Sequence, residues 1–315
     1  MLQQPADVSG FDAKTLLFIA LAITGIGYLF VYIRGLKTSA AESGEPIKPT
    51  AGGIATGFFT NFWDTLGIGS FATTTAIFRY WKMVPDERIP GTLNIGHTLP
   101  TIAQAYIFTT LVPVEAKTLI LMIAAAVLGS HLGAGFVAKW SRIRVQTVMG
   151  SLLLIAAVLF AMKATALIPA GGTALALSGS NLVVGLLGNF ALGALMTMGI
   201  GLYAPCMILV YLLGMSPKAA FPIMMGSCAF LMPVASVKFI REKAFDGRAI
   251  LNLAVGGVPA VIIAAYIVKS LPLTAMLWLV VLVVLYTSIT MLLAARRERD
   301  MVIAAEATAK EAGAP

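Results

Sequence analysis

Charged residues are scarce in this chain, and histidine and cysteine are nearly absent. Asp, Glu, Lys and Arg make up 11% of its 315 residues, and it has two histidines and two cysteines. Cys206 and Cys228 lie in apolar stretches, with no CxxC pair and no Cys/His metal spacing, so we expect neither a structural disulfide nor a metal site. HExxH, paired-carboxylate and nucleophile motifs are missing as well. We therefore expect no enzyme, no catalytic residues and no cofactor.

Apolar sequence, in contrast, is abundant. Hydrophobic residues make up 59% of the chain and its mean hydropathy is +0.91, far above the average for soluble proteins. Apolar runs long enough to cross a bilayer recur at 15–33, 91–111, 118–138, 145–162, 219–237, 249–268 and 273–294. Basic residues lie at the ends of these runs, which indicates a membrane surface and no nucleic acid, although the pI is 9.6. We predict an all-α membrane protein.

Two parts of the chain match without a gap, one in each half. Gly67-Ile68-Gly69 reappears as Gly199-Ile200-Gly201. The surrounding glycines and prolines keep the same register, as in the pairs Gly53/Gly185, Pro85/Pro217 and Pro90/Pro222. Two glycine-interrupted apolar segments at matching places in two halves are a pointer to a transport site in membrane proteins.

The two glycine-interrupted stretches, 52–81 and 181–214, are too long for one span and too short for two. Each either crosses once as a broken helix or enters and leaves on one side as a re-entrant hairpin. With both re-entrant and the N-terminus outside, seventeen basic residues face the cytoplasm and five face outside. With both crossing once, the split is thirteen to nine. The positive-inside rule therefore favours re-entrant hairpins.

This arrangement predicts two inverted repeats, each a re-entrant helical hairpin plus three transmembrane helices, with one extra N-terminal helix. The predicted parts are an N-terminal helix and cytoplasmic loop at 1–50, repeat one at 51–163, an outer linker at 164–180, repeat two at 181–295 and a cytoplasmic tail at 296–315. Because an odd number of spans inverts the second repeat, the hairpin tips should meet near the membrane midplane. We expect a multi-pass protein of the cell (inner or plasma) membrane.

The Gly-Ile-Gly segments resemble the break in each half of the sulfite exporter TauE/SafE family, also called TSUP. Pro205 is similar to the proline that follows the break in that family, and Pro85 and Pro217 are similar to its turn prolines. Ser70-Phe71 and Leu202-Tyr203 stand where the family has further glycines. The resemblance covers roughly residues 52–294 and implies transport of small sulfur-containing anions such as sulfite or organosulfonates.

At the tips, we expect the glycines and the free N–H groups of the following half-helices to bind an anion. The candidate substrate-binding residues there are Gly67, Gly69, Ser70, Thr73, Thr74, Gly199, Gly201 and Tyr203. The alternatives are that the glycines only permit tight helix packing and that the threonines bond back to their own helix.

A polar stripe at helical spacing runs through the span at 91–111. Asn94, His97 and Thr98 are substrate-binding candidates there, continued by Thr101 and Gln104, and Ser227 is the candidate in the second repeat. Helix-to-helix hydrogen bonding is the alternative. Asp64, the only acidic residue deep in a predicted membrane segment, and His97 are the candidates for proton coupling. A helix-end or supporting role is the alternative for Asp64.

The sequence thus predicts a secondary transporter of sulfite-like or organosulfonate anions that works by alternating access, with export the preferred direction. A passive anion channel, or a permease for a carboxylate or another small anion, is the alternative. The expected partners are the small anionic substrate, the lipid bilayer and a coupled proton, and a homodimer is left open. The N-terminus should lie outside and the C-terminus in the cytoplasm.

Overall fold

The computed structural model describes residues 13–44, 46–133, 141–165, 167, 172–196 and 201–311. Over these ranges the chain is helical and contains no β-strand. The helices are α1 Ala13–Ser43, α2 Ala51–Thr65, α3 Ser70–Tyr80, α4 Ile89–Leu111, α5 Ala116–Leu128, α6 Arg142–Ala164, α7 Gly179–Met196, α8 Tyr203–Leu212, α9 Ala220–Arg241, α10 Gly247–Ser270 and α11 Leu273–Glu311. One-turn 3₁₀ segments precede α4 and α9, and a π-helical turn follows α5 at Gly129–Gly133.

Six of the described helices are long and apolar enough to span a bilayer, namely α1, α6, α7, α9, α10 and α11. Helix α4 has 23 residues but carries the polar stripe, and α5 has only 13 before its π-helical turn. The chain is therefore an all-helical, multi-pass membrane protein. The seven spans predicted from the sequence differ from these six helices, because they include α4 and α5 and leave out α7. The count of seven therefore stays a prediction.

Backbone-to-backbone contacts join helices from the two halves of the sequence. A Cβ atom added at Gly256 of α10 would collide with the carbonyl oxygen of Ile54 in α2. One added at Gly193 of α7 would collide with the carbonyl oxygen of Ala126 in α5. Such close approach is possible only at glycine and is typical of membrane helix pairs. The α2–α10 and α5–α7 pairs are therefore packed without intervening side chains at these points.

Helices α7 and α8 form a hairpin with adjacent ends. The Ala174 N–H donates to the Gly214 carbonyl at 3.2 Å, and the Ser216 N–H donates to the Ala174 carbonyl at 2.9 Å. The side-chain Nδ2 of Asn181 donates to the Leu213 carbonyl at 3.3 Å. The segment that leads into α7 and the segment that follows α8 therefore lie side by side.

Helix α2 begins, and helix α3 ends, next to the first turns of α10. Before α2, the Thr50 N–H donates to Asn252 Oδ1 at 2.8 Å, and the Thr50 hydroxyl caps α2 by accepting from the Gly53 N–H. Near the end of α3, Phe78 packs in a buried cluster that includes Ala249 and Leu253. The chain thus runs away from the start of α10 along α2 and returns to it along α3.

Corresponding helices in the two halves start at nearly constant spacing along the chain. The pairs α3/α8, α4/α9, α5/α10 and α6/α11 begin at Ser70 and Tyr203, Ile89 and Ala220, Ala116 and Gly247, and Arg142 and Leu273. Helix α1 precedes this series and is attached through two tyrosines. Tyr28 donates to the Ile95 carbonyl at 2.7 Å, and Tyr32 donates to the Ile250 carbonyl at 3.1 Å.

Candidate functional site

The first tip is the four-residue break between α2 and α3. Gly67 and Gly69 have φ values of +102° and +86°, in the left-handed region that favours glycine. Gly69 is the N-cap residue of α3 and supplies no side chain to bond the exposed N–H groups of the first turn. These groups therefore need another acceptor.

Asp64 supplies that acceptor from the end of α2. Its Oδ1 accepts the backbone N–H of Ser70 at 2.6 Å. Its Oδ2 accepts from Gln104 Nε2 at 2.9 Å. Asp64 is 3% exposed and forms no ion pair with any residue that the structure describes. In this state the carboxylate is held by hydrogen bonds and by the positive end of α3.

The second tip comes just before α8. Gly201 is exposed and has open space where a Cβ atom would stand, whereas Gly199 lies outside the described residues. Leu202 is the N-cap residue of α8 and makes no side-chain cap hydrogen bond. The Tyr203 hydroxyl donates to Gln104 Oε1 at 2.8 Å. Through Gln104 of α4, a chain of hydrogen bonds joins Tyr203 at the second tip to Asp64 at the first.

Both tips line a single small cavity. Its volume is about 50 Å³, which is room for a few water molecules at about 10–15 Å³ each. The lining residues are Asp64, Ile68, Gly69, Ser70, Phe71, Thr101, Met196, Gly201, Leu202, Tyr203, Ala204, Cys228, Met232 and Thr287. Asp64 is the only carboxylate in that lining, and Tyr203 and Cys228 are its other ionisable residues. A small anion could enter this space only beside the Asp64 carboxylate.

His97 lies next to the first hairpin and is absent from the cavity lining. Its Nδ1 is 3.0 Å from Asn61 Oδ1, and its Nε2 is 3.0 Å from the Thr74 hydroxyl. Because the Asn61 amide nitrogen donates to the Gly57 carbonyl, Asn61 Oδ1 faces the ring as an acceptor, which assigns the proton to Nδ1. The neutral ring is then satisfied by one acceptor and one donor.

The predicted polar stripe on α4 divides among several neighbours. Asn94 and Thr98 meet Ser236 of α9, at 3.3 Å and 3.4 Å, away from the tips. Thr101 lines the cavity, and Gln104 joins the two tips. The stripe divides because α4 packs against α9, α10, α2 and α3, which surround it on different sides.

The remaining predicted residues make hydrogen bonds within or between helices. The Thr73 hydroxyl donates to the Ser70 carbonyl at 2.8 Å, as threonines in membrane helices commonly do. Ser227 donates to the Ile223 carbonyl and accepts from Asn189 Nδ2 at 3.2 Å. Neither side chain lines the cavity.

Several cavity residues were missing from the sequence-based set. Gln104 does not line the cavity, and the sequence placed it only as the continuation of the stripe, two helical turns after His97. Met196, Met232 and Thr287 belong to three different helices, and no motif marks them. No group of three or more His, Cys, Asp or Glu side chains suited to a metal ion occurs among the described residues.

Fold and site together define a multi-pass helical membrane protein with two helix breaks at one internal cavity. A family model described as sulfite exporter TauE/SafE matches residues 181–314, which contain the second hairpin and the three helices after it. This match confirms the family resemblance and supports a membrane transport protein, in agreement with the expectation that the chain is no enzyme. No curated protein and no solved structure matches the chain.

Proposed function

We propose that the chain is a secondary transporter of small sulfur-containing anions, such as sulfite or compact organosulfonates, and that the cavity between the two tips is its substrate site. The observation that carries the proposal is that Gly69 and Ser70 of the first break and Gly201 and Tyr203 of the second line one cavity. Breaks of this kind, at membrane depth, are where transporters built from repeats bind substrate.

Inverted repeats are part of the proposal, and two observations support them. The ends of the second hairpin are hydrogen-bonded to each other, as re-entry from one side requires. The most extensive helix pairs also correspond when the halves are exchanged. Helix α2 pairs with α10 as α7 pairs with α5, while α4 pairs with α9 and α6 with α11. With three helices after each hairpin, such halves have opposite orientations in the membrane, and the charge distribution then puts the N-terminus outside.

The anion would bind at the first turn of α8. Among the described residues no side chain caps this turn, so the N–H groups of Tyr203 and Ala204 and the positive helix end remain for a ligand, while Pro205 has no N–H. The side chains of Tyr203 and Thr101 line the same space. At α3, in contrast, the Asp64 carboxylate accepts the N–H of Ser70, the first residue of that helix.

Asp64 would couple the substrate to a proton. Two negative charges about 4 Å apart repel by about 4 kcal/mol at an effective dielectric constant of about 20. A helix N-terminus contributes only about 0.3–2 kcal/mol, so it does not offset this repulsion. A proton on Asp64 removes the repulsion and would accompany the anion. Asp64 suits this role better than His97, because His97 does not line the cavity.

Purified protein in liposomes tests the proposal. We expect uptake of radiolabelled sulfite that an imposed pH gradient drives, with competition by thiosulfate or sulfoacetate and little competition by acetate. A passive channel would instead give flux that follows the anion's own electrochemical gradient at any pH gradient. If folded protein moves none of the sulfur anions, or moves acetate alone, the proposed substrate class is wrong.

A further inference from the structure

A second cavity lies at the ends of several helices. Its volume is about 490 Å³, and it lies among the end of α1, the linker at 46–50, the turn before α4 and the first residues of α10. None of its lining residues lines the cavity between the tips. It is therefore a separate site with its own chemistry.

The acidic side chains of this cavity have partners, whereas its arginines have none among the described residues. The Glu42 carboxylate pairs with Lys243 Nζ at 2.5 Å. Asp246 Oδ1 accepts the Ala249 N–H at 2.7 Å and thereby caps α10. Arg88 and Arg248 line the cavity, are exposed, and form no ion pair within the part of the chain that the structure describes. Two guanidinium groups thus face one space without a carboxylate partner there.

Hydrogen bonds of Thr92 join the backbone segments that carry the two arginines. The Thr92 hydroxyl donates to the Arg88 carbonyl at 2.7 Å and accepts the Asp246 N–H at 2.9 Å. Arg248 follows Asp246 closely in the first turn of α10. Thr92 is fully buried, so its two hydrogen bonds hold the backbone at Arg88 and the backbone at the start of α10, which carries Arg248, in fixed relative positions.

We propose that this cavity binds a tetrahedral oxyanion between Arg88 and Arg248. Guanidinium groups present several N–H donors in a planar fork, which suits the oxygens of sulfate, sulfonate or phosphate. The oxyanion belongs either to a free anion, such as the transported substrate, or to the headgroup of an anionic phospholipid.

Equilibrium binding of radiolabelled sulfate to the full chain in phosphatidylcholine nanodiscs tests this site. We expect Arg88→Gln and Arg248→Gln each to weaken sulfate binding by about tenfold, because each removes charge-assisted hydrogen bonds. Arg79→Gln is the matched control, since Arg79 is an exposed arginine that pairs with Asp86 outside the cavity, and it should change binding less than about twofold. All measurements are made in a Gly201→Val background, so that sulfate bound between the tips does not contribute.

Nanodiscs that contain phosphatidylglycerol separate the two sources of the oxyanion. If the lipid is the ligand, sulfate binding falls in these nanodiscs. Native mass spectrometry should then show that the wild type retains phosphatidylglycerol and that the double arginine variant, with both Arg88→Gln and Arg248→Gln, loses it. If a free anion is the ligand, sulfate binding is unchanged by the lipid. Equal sulfate binding and equal lipid retention in the double arginine variant and Arg79→Gln would overturn the proposal. That outcome leaves the transport proposal untouched, since transport is measured separately.

Discussion

At the first tip, the Asp64 carboxylate occupies the position that a bound anion would take at the N-terminus of α3. It accepts the Ser70 N–H and the Gln104 amide. In the second half, Met196 stands at the position that corresponds to Asp64 in the repeat register, and it carries no charge. The two tips are therefore unlike in charge, and for this reason we propose that the anion binds at α8 and the proton at Asp64.

We predict that Asp64→Asn binds sulfite at least as tightly as the wild type but no longer accumulates it in response to a pH gradient. The amide oxygen can still accept the Ser70 N–H, so the tip should keep its fold, and the charge that repels the anion is gone. Binding and pH-driven uptake in proteoliposomes measure the two effects.

Glu115→Gln is the matched control for Asp64→Asn. Glu115 is an exposed carboxylate at the start of α5 that accepts from Thr118 at 2.5 Å, so its loss should leave pH-driven uptake unchanged. Full proton-driven uptake by Asp64→Asn would remove Asp64 from the coupling mechanism.

A second prediction at the scale of single residues concerns Gly69. Replacement with Ala adds only a Cβ atom into open space, but alanine must then adopt the positive φ of this position, which costs about 1–3 kcal/mol. Gly214 has a φ of +92° and equally open space but lies outside the cavity. Gly214→Ala is therefore the control that measures the cost of the backbone strain without a change in the cavity. We expect similar losses of thermal stability in both variants and loss of sulfite binding only in Gly69→Ala. Equal sulfite binding by the two would mean that the first tip has no contact with substrate.

Sequence reasoning could find the residues of the tips but not their hydrogen-bond partners. Gly67 and Gly69 are marked by their repetition, and Asp64 by being a lone acid in an apolar stretch. Gln104 lies far along the chain from Asp64, and Tyr203 lies in the other half, so no local pattern joins them. Asn94 and Thr98 share a helical stripe with His97, yet they contact a different helix, because α4 has neighbours on several sides.

At the scale of helices, the length and charge of the segments at 52–81 and 181–214 were sufficient to favour hairpins. The second hairpin fits that expectation at its ends, where Ala174 bonds both Gly214 and Ser216. The span count was harder to predict, because polar residues make α4 less apolar than a typical span and α5 is short. Such helices lie among others, where apolar composition is not required.

Cysteine accessibility tests the two hairpins. With Cys206 and Cys228 replaced by Ala, we expect single cysteines at Leu175 and Lys218 to react with a membrane-impermeant thiol reagent from outside the cell. Cysteines at Lys82 and Arg248, beside the ends of the first hairpin, should react only after the membrane is opened. Reaction of positions 175 and 218 on opposite sides would contradict the re-entrant hairpin and with it the inverted repeats.

The close helix pairs give a prediction about stability. Gly193→Ala and Gly256→Ala each place a Cβ atom against a backbone oxygen of the partner helix, so the helices must separate. We expect each to lose about 1–3 kcal/mol, as overpacked interiors do, seen as a lower Tm of the purified protein. Gly27→Ala in α1 has open space and serves as the control, with no loss expected. An unchanged Tm in both variants would show that the close pairs do not hold the halves together.

For the whole molecule, the two halves are alike in helix order and unlike in the chemistry of their tips. The family match covers the second half, whereas Asp64 and the Gln104 side chain of α4 that donates to it belong to the first. The repeated Gly-Ile-Gly of the sequence has its counterpart in helices that start at matching places in the two halves. What the sequence alone could not supply is which faces of the two halves meet, since that depends on contacts such as Gly193 with Ala126.

Sulfite binding to Gly201→Val tests most directly whether the cavity between the tips is the substrate site. Gly201 has open space around its Cβ position and no left-handed φ, so valine should leave the fold intact while filling part of the cavity. Gly52→Val, equally open but on α2 away from the cavity, is the matched control. We predict that Gly201→Val weakens binding of radiolabelled sulfite by about tenfold or more, with Gly52→Val near the wild type. Equal binding by both folded variants would place the substrate elsewhere and contradict the account.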